Sequence, residues 1–244
     1  VPLFPVFAGT WISGLSDRLV IAKYISLESV GLYAVGFMIG KLLYVIQDAI
    51  TQVIGPISMS GLIYEKEKTK IKIAETSFYL WVILLYLNFG MFLFAKELVW
   101  IFAENAYSEA YFIIPIIGFS YVVGSQQRIF ATIISFHKSN WIISTGGIIQ
   151  AITNLGLNII FVPIFGYQFA AYSTVITVIF YAIWLFYWAQ KKDNINYNLS
   201  SYLVTSLIII LFCFLSFLVL DSFFVRILIY LICGLILLKY SLER

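Results

Sequence analysis

The stretch LFPVFAGTWISGLSDRLVIAKY, residues 3–24, is as long as a membrane-spanning helix yet carries the adjacent charges Asp17 and Arg18. A helix needs about 20 mostly apolar residues to cross the hydrocarbon core of a bilayer. A charge near the middle of such a helix costs at least ~2.5–3.5 kcal/mol and is a functional candidate by default. Residues 3–24 therefore predict a span whose charged pair faces protein, water or a ligand.

The composition of the whole chain indicates an all-α, polytopic transmembrane helix bundle. Of the 244 residues, 62% are hydrophobic and only 11% are charged, whereas soluble domains carry about 25% charged residues. Apolar runs of bilayer length recur along the chain. They predict about eight spans: Leu3–Tyr24, Leu32–Leu62, Ala74–Ala95, Tyr111–Phe136, Trp141–Phe165, Gln168–Trp188, Tyr202–Leu220 and Phe223–Tyr240.

The basic residues of the loops predict the orientation of the bundle. Most of them follow even-numbered spans, and the positive-inside rule makes those loops cytoplasmic. The protein is thus expected in the cytoplasmic (inner) membrane with both ends of this chain inside. The net charge of +3 is scattered over short loops, which argues against a nucleic-acid partner. The chain begins with Val1 and lacks a signal-peptide pattern, so we expect it to be a fragment with an upstream portion missing.

Two connecting segments and one long span have further expected features. Residues 96–111 are aromatic and acidic, which favours an amphipathic piece at the outer interface. The turn EKEKTK, residues 65–70, is most simply a solvated charged turn, and attraction to anionic lipid is the alternative. The second span exceeds one straight crossing, and Gly55-Pro56 is a place for it to kink.

Lys41, Asp48 and Gln52 share one face of the second span, because seven and then four residues separate them. Asp17 and Lys41 lie at similar depth below the loop that joins their spans, so they are expected to pair. The competing partner of Lys41 is Asp48, two turns away on the same helix. If Asp17 neutralises Lys41, Arg18 is left as a cation that requires an anion, and a structural ion pair of Arg18 is the alternative.

Arg128, in the fourth span, adds a further positive charge and makes the predicted interior net cationic. It either faces the same cavity as Arg18 or extends its side chain toward the inner interface. Arginine suits a phosphate ligand because its planar fork donates two parallel hydrogen bonds. Gln150, Asn154 and Asn158 form a polar line down the fifth span. They predict either hydrogen bonds between helices or a wall that faces sugar hydroxyls.

No cluster with metal-ligand spacing and no phosphate-binding loop occurs in this sequence, and its single histidine, His137, is in a loop. These features predict no metal, no cofactor and no enzyme activity. Cys213 and Cys233 lie inside apolar runs, so a packing role is expected for both.

The residues around the charged pair carry a family resemblance. Ser16-Asp17-Arg18-Leu19-Val20-Ile21, followed by Ser26-Leu27-Glu28-Ser29-Val30-Gly31-Leu32-Tyr33-Ala34, resembles the start of the second half of bacterial polysaccharide (O-antigen type) flippases. These flippases belong to the multidrug/oligosaccharidyl-lipid/polysaccharide exporter superfamily. The run from Asn154 to Ser173, with Asn158, Pro163 and Gly166-Tyr167, is similar to the paired helices that end the second lobe of that family.

The resemblance implies the C-terminal lobe of a two-lobe transporter for lipid-linked (polyprenyl-pyrophosphate) oligosaccharides. Residues 1–190 would form a six-helix lobe, and residues 191–244 would add two helices that could hold the lipid tail. The missing N-terminal lobe would be the partner across the cavity. The implied pyrophosphate ligand is Arg18, with Asp17 beside it. Spacing adds Lys41, Arg128, Asn154 and Asn158 to the substrate-binding candidates, and Asp48, or the Asp17–Lys41 pair, is the candidate for coupling to an ion.

Three other functions remain possible at the level of sequence. A drug/cation antiporter of the same superfamily requires an acidic cavity, which the expected net positive interior disfavours. A membrane enzyme of polysaccharide assembly requires a large outer loop, and residues 96–111 are the longest outer loop predicted. A bundle that only binds partners would tolerate the loss of Arg18.

Overall fold

The computed structural model describes residues 15–217 and 222–242, and these residues form helices joined by short turns. The described part of the chain contains no strand, which confirms the prediction of an all-α bundle. The helices are α1 (residues 15–24), α2 (Leu27–Gly40), α3 (Leu42–Tyr64), α4 (Lys66–Leu93), α5 (Ala95–Phe102), a 3₁₀ helix (Asn105–Phe112), α6 (Ile113–Phe136), α7 (Asn140–Phe165), α8 (Phe169–Lys192), α9 (Leu199–Phe217) and α10 (Phe223–Leu242).

Seven helical segments within the described residues are long and apolar enough to cross a membrane. They correspond to the second to eighth predicted spans, and the chain is therefore described as a multi-pass membrane protein. Residues 3–14 of the first predicted span lie outside the described residues. The segment that was predicted to lie at the outer interface forms two short helices, α5 and the 3₁₀ helix, and Trp100 in α5 is 75% exposed.

The second predicted span is divided into two helices. The α-helix continues through Pro56 and ends only at Tyr64. The interruption falls at Lys41, which separates α2 from α3. The division at Lys41 was not predicted, and the kink expected at Gly55-Pro56 would lie within α3. The break places the backbone of Lys41 at mid-span, beside the residues described below.

Helix α6 lies at the centre of the bundle and contacts α2, α3, α4, α7 and α8. Its inward side is fully buried and is mostly isoleucine, with Ile113, Ile114, Ile117 and Ile134 all at 0% exposure. In a bilayer, helices associate through close packing and polar contacts rather than through the hydrophobic effect. The large apolar side chains on the outer faces of α7 to α10 are exposed, as expected for surfaces in contact with lipid.

Helix α2 approaches the 3₁₀ helix and the start of α6 closely through two glycines. A Cβ atom on Gly36 would lie 2.7 Å from the backbone oxygen of Ala110, and one on Gly40 would lie 2.8 Å from that of Ile114. The four-residue spacing of Gly36 and Gly40 puts both on one helix face. This spacing of small residues is a common way for membrane helices to pack, and it holds α2 against the centre of the bundle.

The two C-terminal helices pack against α4. The rings of Tyr86 and Tyr230 stack with their centroids 4.2 Å apart, and the hydroxyl of Tyr202 donates to that of Ser77 at 2.9 Å. Arg226 donates through both terminal nitrogens to Glu97 and also to the backbone oxygen of Leu93. These contacts attach α9 and α10 to the rest of the bundle at several depths.

A cluster of charges joins three segments at the opposite end of the bundle from α5. Asp193, which follows α8, is only 3% exposed at its side chain. Its carboxylate lies 2.6 Å from Nζ of Lys66, 3.7 Å from Nζ of Lys70 and 2.5 Å from Nε2 of His137. Burial alone would raise the pKa of Asp193, but its hydrogen bonds with Lys66 and His137 and their charges outweigh burial and lower it. The pair His137–Asp193 was not predicted from the sequence.

Candidate functional site

A cavity of about 770 Å³ opens among six of the helices, and the adjacent charged residues Asp17 and Arg18 line it. Helices α1, α2, α3, α6, α7 and α8 all contribute side chains to it. The residues that line it are Leu15, Asp17, Arg18, Ala34, Phe37, Met38, Lys41, Tyr44, Tyr121, Gln150, Asn154, Thr174 and Thr177. Its ionisable lining is thus one carboxylate and two basic side chains, together with the phenols of Tyr44 and Tyr121.

Asp17 lies in the wall of this cavity, and its hydrogen bonds come from uncharged donors. The residue is 3% exposed. It accepts hydrogen bonds from the hydroxyl of Tyr33 at 2.7 Å, from Nδ2 of Asn158 at 2.6 Å and from the hydroxyl of Thr174 at 3.5 Å. Three helices therefore supply the partners of one buried carboxylate, as a buried charge requires.

The expected ion pair between Asp17 and Lys41 is not formed. Among the described residues no carboxylate lies within ion-pair distance of Lys41. Its ammonium instead lies 5.7 Å from the ring centroid of Tyr44. Similar depth in the membrane is not sufficient for contact, because the rotation of each helix about its own axis also decides which side chains meet.

Arg18 and Lys41 both line the cavity, as the sequence predicted for a cationic interior. The guanidinium carbon of Arg18 lies 5.6 Å from the ring centroid of Phe37, within the range of a cation–π contact. Phe37 is one turn before Lys41, so the two basic groups approach the cavity from neighbouring helices. One anionic ligand in the cavity could therefore meet both positive charges.

Asp48 and Arg128 form an ion pair outside the lining of the main cavity. Nη1 of Arg128 lies 2.8 Å from Oδ1 of Asp48, and Gln52 donates to the same carboxylate at 2.5 Å. The expectation that Arg128 lacks a negative partner is therefore wrong, and so is the pairing of Asp48 with Lys41. Arg128 remains close to the cavity, since its guanidinium lies 5.1 Å from the ring centroid of Tyr44.

The polar line on α7 divides into residues with different surroundings. Asn158 is fully buried, donates to Asp17 and accepts from the hydroxyl of Ser173 at 2.5 Å. Asn154 donates to Ser173 at 3.3 Å and also reaches the cavity. Asn158 thus acts as a link between helices. Of the predicted line, Gln150 and Asn154 are the amides that face the cavity.

A second cavity of about 380 Å³ adjoins the first and shares Gln150 and Thr177 with it. One side of it is lined by the aromatic residues Tyr181 and Trp184, which we call the aromatic floor. Tyr181 and Trp184 donate hydrogen bonds to backbone oxygens of α7 at 2.9 and 3.1 Å, and Gly146 lets α7 approach both rings. The rings are therefore held in fixed positions.

Sequence reasoning missed the aromatic floor and several partners of Asp17. Tyr33 lies inside the first stretch that carries the family resemblance, and that was the available signal for it. Thr174 lies one residue beyond the second stretch. Tyr181 and Trp184 had no signal, because aromatic residues are common throughout this chain.

The fold of this chain matches that of a known transporter. No family model and no curated protein matches the sequence. Among solved structures, the lipid II flippase MurJ in an inward closed conformation has a similar fold, with a TM-score of 0.72 and 16% sequence identity. The match covers 100% of this chain and 54% of that protein. The chain thus spans about half the length of the protein whose fold it shares.

Proposed function

We propose that this chain is the C-terminal half of a flippase that moves polyprenyl-pyrophosphate-linked oligosaccharides across the cytoplasmic membrane. The observation that carries the proposal is the cavity of about 770 Å³ lined by Arg18 and Lys41, within a fold that matches a lipid-linked flippase. The motifs around Asp17 and Asn158 favour a polysaccharide unit of the O-antigen type as the cargo. The similarity to a lipid II flippase supports the broader class of lipid-linked substrates.

The chemistry of the cavity fits a sugar pyrophosphate. A pyrophosphate cannot cross hydrocarbon without replacement of its hydration. Arg18 offers two parallel donors to phosphate oxygens, and Lys41 adds a mobile point charge. Gln150 and Asn154 supply amides for sugar hydroxyls, and the aromatic floor of the adjoining cavity offers flat apolar surfaces to sugar rings.

The other parts of the proposed full-length transporter are expected from the same resemblance. Residues 1–190 would be the six-helix lobe, and residues 191–244 would add the two helices that accompany the lipid tail. An N-terminal lobe would supply the opposite wall of the cavity. Rocking of one lobe against the other would open the cavity alternately to each side of the membrane.

Asp17 and Asp48 are the two candidates for coupling transport to an ion. Asp48 already pairs with Arg128, so its charge is neutralised by a strong base. Asp17 accepts its hydrogen bonds from neutral oxygen and nitrogen donors on three helices, and it lines the cavity itself. We infer that Asp17 responds more directly than Asp48 to a proton or cation that enters.

The alternative of a drug/cation antiporter is not favoured by the charges of the cavity. A cationic substrate would meet Arg18 and Lys41 and only one carboxylate.

An enzyme of polysaccharide assembly would require a catalytic constellation. Within the described residues, no group of three His, Cys, Asp or Glu side chains is placed to hold a metal ion.

The first prediction tests the anion site. In cells that lack their own flippase and produce the lipid-linked oligosaccharide, the full-length protein should restore its appearance in the outer leaflet. Arg18→Ala should reduce this at least about tenfold, because charge-assisted hydrogen bonds to an anion are worth about 1.5–3 kcal/mol, and Arg18→Lys should retain part of it. Lys23→Ala, an exposed cation on the same helix, is the control. Equal transport by Arg18→Ala at equal abundance would reject the site.

A further inference from the structure

A polar groove of about 460 Å³ separates the end of α3 from the start of α4 and lies outside the transport cavity. It is lined by Ile54, Ile57, Ser58, Ser60, Gly61, Tyr64, Glu65, Thr69, Lys72, Ile73 and Thr76. A narrow cavity of about 20 Å³ continues from it toward Arg128 and shares Ile54, Ser58, Ile73 and Thr76. The groove therefore extends from the turn between α3 and α4 toward Arg128, whose guanidinium is paired with Asp48.

Three hydroxyls in this groove have no hydrogen-bond partner within the described part of the chain. Buried hydroxyls elsewhere in these helices donate to a carbonyl three or four residues earlier, as Ser125, Thr132 and Thr205 do. Ser58 and Thr69 are 8% and 7% exposed, yet neither they nor Thr76 make such a bond. Their hydroxyl oxygens open into the groove rather than being enclosed by protein, so these three hydroxyls can donate to a ligand that is bound there.

Lys72 lies at the mouth of the groove and forms no ion pair among the described residues, although the charge of Glu65 is close enough to interact with it. The segment that begins α4 contains four lysines, and three of them are in ion pairs. Lys66 and Lys70 contact Asp193, and Lys68 contacts Glu65 at 2.8 Å. Lys72 has no ion pair among the described residues. Glu65 also lines the groove, but Lys68 neutralises it, so the opening remains positive.

The groove lies where lipid headgroups meet the bundle. Ile57 and Tyr64 on its rim are 63% and 84% exposed, which suits contact with acyl chains and with the interface. The charged turn, residues 65–70, lies at the mouth of the groove and contributes Glu65 and Thr69 to its lining. By the positive-inside rule this end is cytoplasmic, and the inner leaflet is rich in anionic lipid.

We propose that this groove binds the phosphate headgroup of an anionic phospholipid from the leaflet on the α3–α4 side. Thr69 donates to a phosphate oxygen, Lys72 neutralises the charge, and the first acyl carbons rest on Ile57. Thr76 lies about two turns deeper along α4, where it and Ser58 can donate to the ester oxygens of the lipid. The site is separate from the proposed transport site and does not depend on it. Because it contacts both α3 and α4, a bound lipid also fixes the position of one helix against the other.

The test is the retention of phosphatidylglycerol by the purified full-length protein, measured by native mass spectrometry after exchange from nanodiscs. Wild type should retain phosphatidylglycerol in preference to phosphatidylcholine. Lys72→Ala should weaken retention about fivefold. Thr69→Val should do the same, because it leaves the charge of Lys72 and the shape of residue 69 unchanged and removes only the hydroxyl. Lys192→Ala, an exposed lysine at the same end of the bundle, is the charge-matched control.

Two outcomes would overturn the proposal. Retention by Lys72→Ala and Thr69→Val that equals wild type would show that the groove does not bind the lipid. Displacement of the lipid signal by millimolar inorganic phosphate would assign the groove to a free phosphate instead. Lys72 is exposed and has no ion pair among the described residues, so its variant is expected to fold, and thermal unfolding in lipid-free detergent verifies this.

Discussion

At the scale of single residues, Asp17 shows why a charge within the membrane needs its partners on other helices. Its carboxylate accepts hydrogen bonds from Tyr33, Asn158 and Thr174, on α2, α7 and α8. None of these donors is a basic residue. Arg18 and Lys41 line the cavity beside it, where a bound anion would meet their positive charges.

The second prediction concerns this carboxylate. Asp17→Asn preserves the shape but turns one acceptor oxygen into a donor, which then faces the donors Tyr33 or Asn158. We expect a loss of stability of about 1–3 kcal/mol, seen as a lower melting temperature in detergent. Asp48→Asn, at a more exposed ion pair, serves as the comparison and should lose less. A larger loss for Asp48→Asn would contradict this account.

At the scale of helices, the approach of α2 to α6 positions one wall of the cavity. Gly36 and Gly40 allow the two backbones to come close. Phe37 and Met38, which lie between them in sequence, line the cavity instead of the interface. The same helix thus packs through its glycines and presents larger side chains to the site.

The third prediction tests this close contact. Gly40→Ala would place a methyl group 2.8 Å from the backbone oxygen of Ile114, so α2 must move away from α6. We expect destabilisation of about 1–3 kcal/mol from overpacking. Gly156→Ala, on α7, meets nothing within 4 Å and is the control. Its stability should be unchanged or higher, because alanine restricts the unfolded chain. Equal melting temperatures for the two variants would show that the contact at Gly40 is not tight.

At the scale of the whole molecule, one buried carboxylate joins segments at the end of the bundle opposite α5. Asp193 contacts the start of α4 through Lys66 and the turn after α6 through His137. These segments are far apart in the sequence. Their attachment to one another holds the ends of α4, α6 and α8 together, and two of these helices, α6 and α8, contribute side chains to the cavity of about 770 Å³.

The fourth prediction uses the lowered pKa of Asp193. A carboxylate whose pKa is lower in the folded protein than its ordinary value of about 3.9 stabilises the fold above that pH. The contribution disappears as the pH falls through the folded pKa. Asp193→Asn should therefore lower the melting temperature at pH 7, and the difference from wild type should close below about pH 4. Glu75→Gln, an exposed carboxylate, should show no such difference. A difference for Asp193→Asn that persists in acid would mean that shape, not charge, matters.

The sequence by itself determined that this is an all-α, multi-pass membrane protein. It also located most of the spans and predicted the positive sign of the charge in the interior. These follow from local properties: an apolar run of bilayer length has few alternatives to a helix, and the residue types at positions 17, 18 and 41 can be read directly from the sequence. The family motifs also marked Asp17 and Asn158 before their contact was known.

Only the tertiary structure decided which charges pair and which stay open to the cavity. Asp17 and Asn158 are 141 residues apart, yet Nδ2 of Asn158 lies 2.6 Å from Oδ1 of Asp17. Asp48 forms its ion pair with Arg128 and not with Lys41. Such contacts depend on how each helix is rotated and crossed against its neighbours. The packing of small residues such as Gly36 and Gly40 sets those angles, and no periodicity within one helix contains that information.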